Sequence, residues 1–160
     1  MSGVAVDGEE TIDLAGNYLA PGFIDLHVHG ALGRDTMEGT ADAFRAICDY
    51  HAGGGTTSLL LTTVTAPIEQ IAAVVRQVEA ASESLPQIRG AHVEGPFISP
   101  EKRGAQSAEF IVEPRAELVE RLLEEAPAIR RVTLAPEVPG ALDLIARLTN
   151  QGVKLLWNTR

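Results

Sequence analysis

The sequence has one cysteine, Cys48, one tryptophan, and only 13 basic side chains against 22 acidic ones. A lone cysteine excludes an intrachain disulfide and any four-cysteine zinc site, and fits a reducing compartment. The shortage of lysine and arginine leaves a formal net charge of −9 at pH 7. Proteins that bind nucleic acid carry a basic stripe, so no nucleic-acid partner is expected. A small anionic substrate is not excluded, because one pocket can be positive on an acidic protein. Long apolar runs are also missing. The longest, Leu59 to Val64, has threonines inside it and falls far short of the ~20 residues that span a bilayer. The opening MSGVAVDGEE lacks a basic patch followed by an apolar core. No secretory signal or membrane partner is read, and a soluble cytoplasmic protein is expected.

What remains is an ordinary globular composition, 45% hydrophobic and 22% charged, arranged as strand and helix in alternation. PGFIDLHVHG (21–30) has strand length and is bounded by Pro-Gly and Gly. A helix follows from about Thr40, its N-cap, with Phe44, Ile47, Cys48 and His51 on one face, and Gly53 to Gly55 end it. TTSLLLTTV (56–64) reads as a buried strand of a parallel sheet. Pro67 opens a helix with the stripe Ile68, Ile71, Ala72, Val75 and Val78. IRGAHVEG (88–95) is a third strand, followed by an irregular stretch over 96–110. Pro114 then starts a helix with Leu118, Leu122 and Leu123 inward. RRVTLAP (130–136) is a fourth strand, Ala141 to Gln151 a helix, and Val153 to Trp157 a fifth strand. Residues 1–20 differ, with turn signals at Asp7-Gly8 and Gly16-Asn17 between short alternating runs that suit an antiparallel hairpin.

Two constellations carry chemistry. Asp25, His27 and His29 are spaced two apart, so on a strand they project to one face. Two imidazoles placed this way can grip one divalent metal, with Asp25 orienting a ligand histidine from behind. Hydrogen bonds to loop backbone are the simpler alternative. His92 and Glu94, at the end of the third strand, likewise share a face. Glutamate is an oxygen ligand compatible with Zn²⁺, Fe²⁺ or Mn²⁺; otherwise Glu94 pairs with Lys102 or Arg103. His92 either binds substrate or hydrogen-bonds within the protein. His51 and Cys48 are read as core residues.

PGFIDLHVHG followed by HVEGPFISPEKRGAQ resembles the N-acetylglucosamine-6-phosphate deacetylases of the amidohydrolase superfamily, with support from GGGTTSLLLTTVT and VTLAPE. The resemblance runs from about Ile12 to about Gly152. It implies a (β/α)₈ TIM-type barrel, present in part with about five strands, preceded by a remnant N-terminal β hairpin. Residues 1–20 would be the remnant of a small β domain, and residues 21–160 the first half of a metal-dependent hydrolase barrel. A complete barrel of this kind typically takes about 250 residues, more than this sequence has.

The resemblance further implies metal-dependent hydrolysis of N-acetylglucosamine 6-phosphate to glucosamine 6-phosphate and acetate. Glu94 matches the family's metal-ligand glutamate, and His27 and His29 match the first-strand pair that binds a second metal in members that retain it. Ala105 and Gln106 match loop positions beside the bound amino sugar. One or two divalent ions, zinc, iron or manganese, are expected, with a sugar phosphate as the small-molecule partner and a homo-oligomer when full length. The family's acid/base Asp lies on a later strand and has no counterpart up to Arg160. At the end of the fifth strand the family has a Gly-His segment where this sequence has Asn158 and Thr159. Two rival readings follow: another amidohydrolase acting on a cyclic amide, or a catalytically inert barrel fragment.

Overall fold

A computed structural model of the protein describes residues 12–125 and 127–158. Five strands, β1 (Phe23–Val28), β4 (Thr56–Thr62), β5 (Ile88–Glu94), β6 (Ile129–Leu134) and β7 (Lys154–Trp157), form one sheet in chain order, with every neighbouring pair parallel. Four helices make the crossovers: α1 (Ala41–Gly53) leads into β4, α2 (Ile68–Ser82) into β5, α3 (Ala116–Glu125) into β6 and α4 (Ala141–Asn150) into β7. Sequential parallel strands joined by outer helices make up the curled first part of a (β/α)₈ barrel. No helix among the described residues is long and apolar enough to cross a membrane.

The alternation of side chains along each strand divides the residues between two faces. Leu59, Leu61, Ala91, Val93, Val132 and Leu134 point outward and join Phe44, Ile47, Ile71, Val75, Leu122 and Leu148 of the helices in one core. Their alternates Thr62, His92, Glu94 and Thr133 therefore face the concave side. The helix caps follow local chemistry. Thr40 accepts the N–H of Ala43 through its side chain, capping α1 as the sequence suggests. Pro67 sits immediately before α2, where a missing N–H costs nothing. Cys48 is fully buried among these helices, and burial pushes its thiol up to about 11, so it is an inert core residue.

The expected first strand over 21–30 is interrupted. It stops at Val28, and the chain then forms a small antiparallel hairpin, β2 (Gly30–Ala31) with β3 (Arg34–Asp35). Leu32 and Gly33 both have positive φ, 54° and 77°, the geometry of a tight two-residue hairpin turn. A 3-10 turn over Thr36–Glu38 follows, closed by a capping box between Asp35 and Glu38. The N–H of Thr36 then donates to the carbonyl of His29 at 2.7 Å, which ties the hairpin back to the end of β1.

The expected N-terminal hairpin falls mostly on residues 1–11, which lie outside the described residues. Over 12–20 the chain is exposed and makes one turn, with the N–H of Asn17 donating to the carbonyl of Leu14 at 2.8 Å.

Candidate metal centre

The C-terminal ends of β1 and β5 lie close together at one rim of the concave face. His27 is the fifth residue of β1 and His29 follows directly after the strand. Their Nε2 atoms lie 3.0 Å apart. Glu94, the last residue of β5, brings its Oε2 within 3.4 Å of His27 Nε2 and 3.0 Å of His29 Nε2. Among the described residues these three form a group able to hold a metal ion, with donor atoms within 4.8 Å of one another. Glu94 pairs here with imidazoles and with Gln106, not with Lys102 or Arg103.

His29 also approaches the carbonyl of Thr62 through Nδ1, at 3.1 Å. A carbonyl only accepts, so Nδ1 carries the proton and donates. The ring thus faces an acceptor on each side, Thr62 O and Glu94 Oε2, and its pKa is raised. The Glu94 hydrogen bond is the leading cause, and it outweighs the opposing effect of burial. Burial pushes the Glu94 carboxyl upward, but the His29 hydrogen bond and the facing imidazoles overcome it, so the net shift is downward. Glu94 is therefore ionised near neutral pH.

These observations fit a divalent cation. The Nδ1–H bond to Thr62 fixes the ring orientation and leaves Nε2 as the metal-facing nitrogen, the arrangement that histidine ligands adopt. A cation between Nε2 and Oε2 would satisfy both atoms without the extra proton. Two imidazoles and one carboxylate match zinc, iron or manganese chemistry, and a three-ligand set keeps a position open for reactants.

Asp25 meets His27 through the backbone: its Oδ1 accepts the His27 N–H at 3.0 Å. The sequence reading had it orienting a ring; the bond instead shapes the strand that carries the ring. His92 is fully buried beneath the cluster, its ring 4.8 Å from that of His27, edge to face. Nε2 lies 2.7 Å from Thr133 Oγ1 and Nδ1 lies 3.4 Å from Thr62 Oγ1. Burial, then the neighbouring positive charges of His27 and Arg131, lower its pKa to about 3. His92 is thus a neutral interior histidine bonded within the barrel.

Thr62 supports several of these groups at once. Its carbonyl holds His29, and its hydroxyl accepts the Val28 N–H at 2.9 Å and reaches His92. Sequence reasoning passed over Thr62 and Thr133 because threonine is a common β-strand residue. The available signal was a polar side chain at the concave position of a strand otherwise rich in leucine and valine.

The loop after β5 is less irregular at its start than the sequence suggests. Phe97 and Ile98 are buried, and Phe97 O accepts the N–H of Ala135 at 2.9 Å. The loop then rises, and Ala105 is exposed. The Gln106 side chain turns back: Oε1 accepts the Thr65 N–H at 2.6 Å and Nε2 donates to Glu94 Oε2 at 2.9 Å. Arg103 donates to the Gln106 carbonyl at 2.9 Å. Sequence matching placed Gln106 beside a substrate; in the structure it touches the cluster itself.

Comparison with known proteins supplies context for this geometry. The sequence profile of the amidohydrolase family matches residues 18–148. An N-acetylglucosamine-6-phosphate deacetylase of Bacillus subtilis is 38% identical over 146 residues, covering 87% of this chain and 37% of the relative. An N-acetylgalactosamine-6-phosphate deacetylase of Escherichia coli O157:H7 is 36% identical over 142 residues, covering 86% and 38%. Among solved structures, a mutant N-acetyl-D-glucosamine-6-phosphate deacetylase of Mycobacterium smegmatis, in complex with N-acetyl-D-glucosamine-6-phosphate, superposes with a TM-score of 0.81 at 33% identity, covering 86% of this chain and 36% of that one. The chain thus spans well under half the length of the relatives it matches.

Proposed function

The chain belongs to the amidohydrolase family, and from that premise we propose that it carries the metal-gripping part of a site that deacetylates N-acetylglucosamine 6-phosphate, giving glucosamine 6-phosphate and acetate. The observation that carries the proposal is the convergence of His27 Nε2, His29 Nε2 and Glu94 Oε2 beside a loop whose sequence resembles the deacetylases. In this reading residues 21–160 are the first half of a metal-dependent hydrolase barrel, preceded by the remnant of a small β domain, and the whole protein is a cytoplasmic homo-oligomer.

A divalent ion held there would supply Lewis-acid polarisation of an amide carbonyl and a lowered pKa for water. The chain's own residues do the rest of what can be assigned to it. His27, His29 and Glu94 would hold the ion. Thr62 fixes the His29 ring by accepting its Nδ1–H. Asp25 accepts the His27 N–H, and His92, bonded to Thr133, packs against the His27 ring. Ala105 and Gln106 form the part of the loop nearest the amino sugar. The resemblance assigns the proton transfer to the leaving amine to an Asp on a later strand of the family's barrel.

A chimera tests the reading. This chain would replace the segment that it matches in the B. subtilis relative, and the product would be assayed for acetate release with N-acetylglucosamine 6-phosphate and its galactosamine epimer. The expected result is turnover that falls by about a thousandfold or more in Glu94→Ala, the scale of losing a metal and its activated water. A folded, metal-loaded chimera that releases no acetate from either sugar refutes the proposal.

A further inference from the structure

The amide of Gln106 has a single readable orientation. Thr65 N can only donate, so the atom 2.6 Å from it is the oxygen, and the NH₂ group must be the one 2.9 Å from Glu94 Oε2. The glutamine is held at both ends, since Arg103 also fastens its own carbonyl at 2.9 Å. Thr65, just beyond β4, is itself buried, so the anchor belongs to the core rather than to the loop. Glu94 Oε2 is the same oxygen that faces both imidazoles. A carboxylate oxygen has two lone-pair directions, and it can accept Gln106 on one while the other points at His27 and His29. The last torsion of a glutamate side chain is broad and weakly defined by itself. The Gln106 amide, a neutral donor anchored at its other end, therefore limits that torsion.

We propose that Gln106 is a positioning residue of the metal centre: its amide, anchored on the Thr65 N–H, holds the Glu94 carboxylate in the orientation that presents an oxygen between His27 and His29. The proposal rests on reading those three residues as metal donors. It makes the loop after β5 part of the ion's support as well as part of the substrate wall. Partners behind a metal ligand fix its rotamer, and losing one weakens binding even though the ligand remains.

The test measures the Zn²⁺ dissociation constant of the 160-residue protein by competition with a chromophoric chelator, together with the melting temperature of the metal-free form. Gln106→Met, which keeps length but neither donates nor accepts, is expected to weaken zinc about 10-fold to 100-fold. Gln106→His, whose ring offers a donor and an acceptor, is expected to recover affinity to within about threefold of the parent. A lowered melting temperature with unchanged zinc affinity in Gln106→Met would mean a purely structural residue and overturns the proposal. A second measurement needs no variant: zinc is expected to slow hydrogen exchange at the Thr65 amide by about fivefold or more, because the held carboxylate fixes the glutamine in turn. An unchanged exchange rate with zinc bound also overturns it. Equal zinc binding by the parent and Glu94→Ala would sink the metal reading itself, and the positioning role with it.

Discussion

Lowering the pH from 7 to 5 perturbs the buried ring of His92, and the size of the effect follows from its surroundings. In the native protein that ring is fully buried and its pKa is lowered to about 3, with burial as the leading cause. In the unfolded chain it titrates near about 6.5. Between those values the unfolded state binds a proton that the native state does not, so stability falls as pH falls. Each pH unit in that window costs about 1.4 kcal/mol. Linkage from pH 7 to pH 5 gives a loss of about 2 kcal/mol from this residue alone. The figure hardly changes if the native pKa is 4 instead of 3, because at pH 5 the native ring is neutral either way. Both threonine hydroxyls beside the ring could accept from an imidazolium. The penalty therefore comes from desolvation and from neighbouring positive charge, not from a shortage of acceptors. The assay is urea unfolding of the metal-free protein at both pH values, beside His92→Gln. With an m-value of about 2 kcal/mol/M, the parent midpoint should drop about 1 M further than that of the variant. Parallel losses in the two proteins would refute the reasoning.

Two other perturbations have equally definite outcomes. Gly95 has φ +75°, and a Cβ there would collide with Thr65 Oγ1. Gly95→Ala should therefore cost about 1–3 kcal/mol in the same unfolding assay; a neutral variant would mean that Thr65 is not held where it stands. Phe23, Ile24 and Leu26 of β1, an edge strand of the sheet among the described residues, are 70%, 71% and 47% exposed, an apolar edge. Ile24→Lys should lower concentration-dependent association in sedimentation velocity, and an unaltered distribution would remove β1 as the sticky edge.

Much of the architecture was legible because the helices and strands here are cleanly patterned. The Phe44, Ile47 and Cys48 stripe is fully buried, and the α1 cap at Thr40 is in place. The expected strand over 88–95 is β5 to within a residue. The break after Val28 was not legible, since Gly30 and Gly33 read as closing punctuation and the hairpin turn places the non-glycine Leu32 at positive φ. Pro114 was expected to open the third helix, but α3 starts at Ala116. For the site, two-residue spacing was enough to put His27 beside His29 and to place Glu94 on the concave face. Strand-end position in a parallel sheet also presented Glu94 at the same mouth as the histidines, where the structure groups the three; how close they come depends on β4 lying between β1 and β5. Spacing could not reveal Gln106 on Glu94, a contact between residues that no local periodicity relates.

The Thr65–Gln106–Glu94 bridge bears on how this protein can vary over generations. Surface loops ordinarily absorb insertions and deletions at little cost. Here the segment from Gly95 to Gln106 leaves directly from Glu94 and ends by bonding back to its carboxylate. Adding or removing a residue inside that ring shifts the amide off Glu94, whereas the same change a few residues later leaves the ring closed. Variation in chain length should accordingly be scarce before Gln106 and free after it, so that new loop surfaces would arise by exchanging side chains within a loop of fixed length.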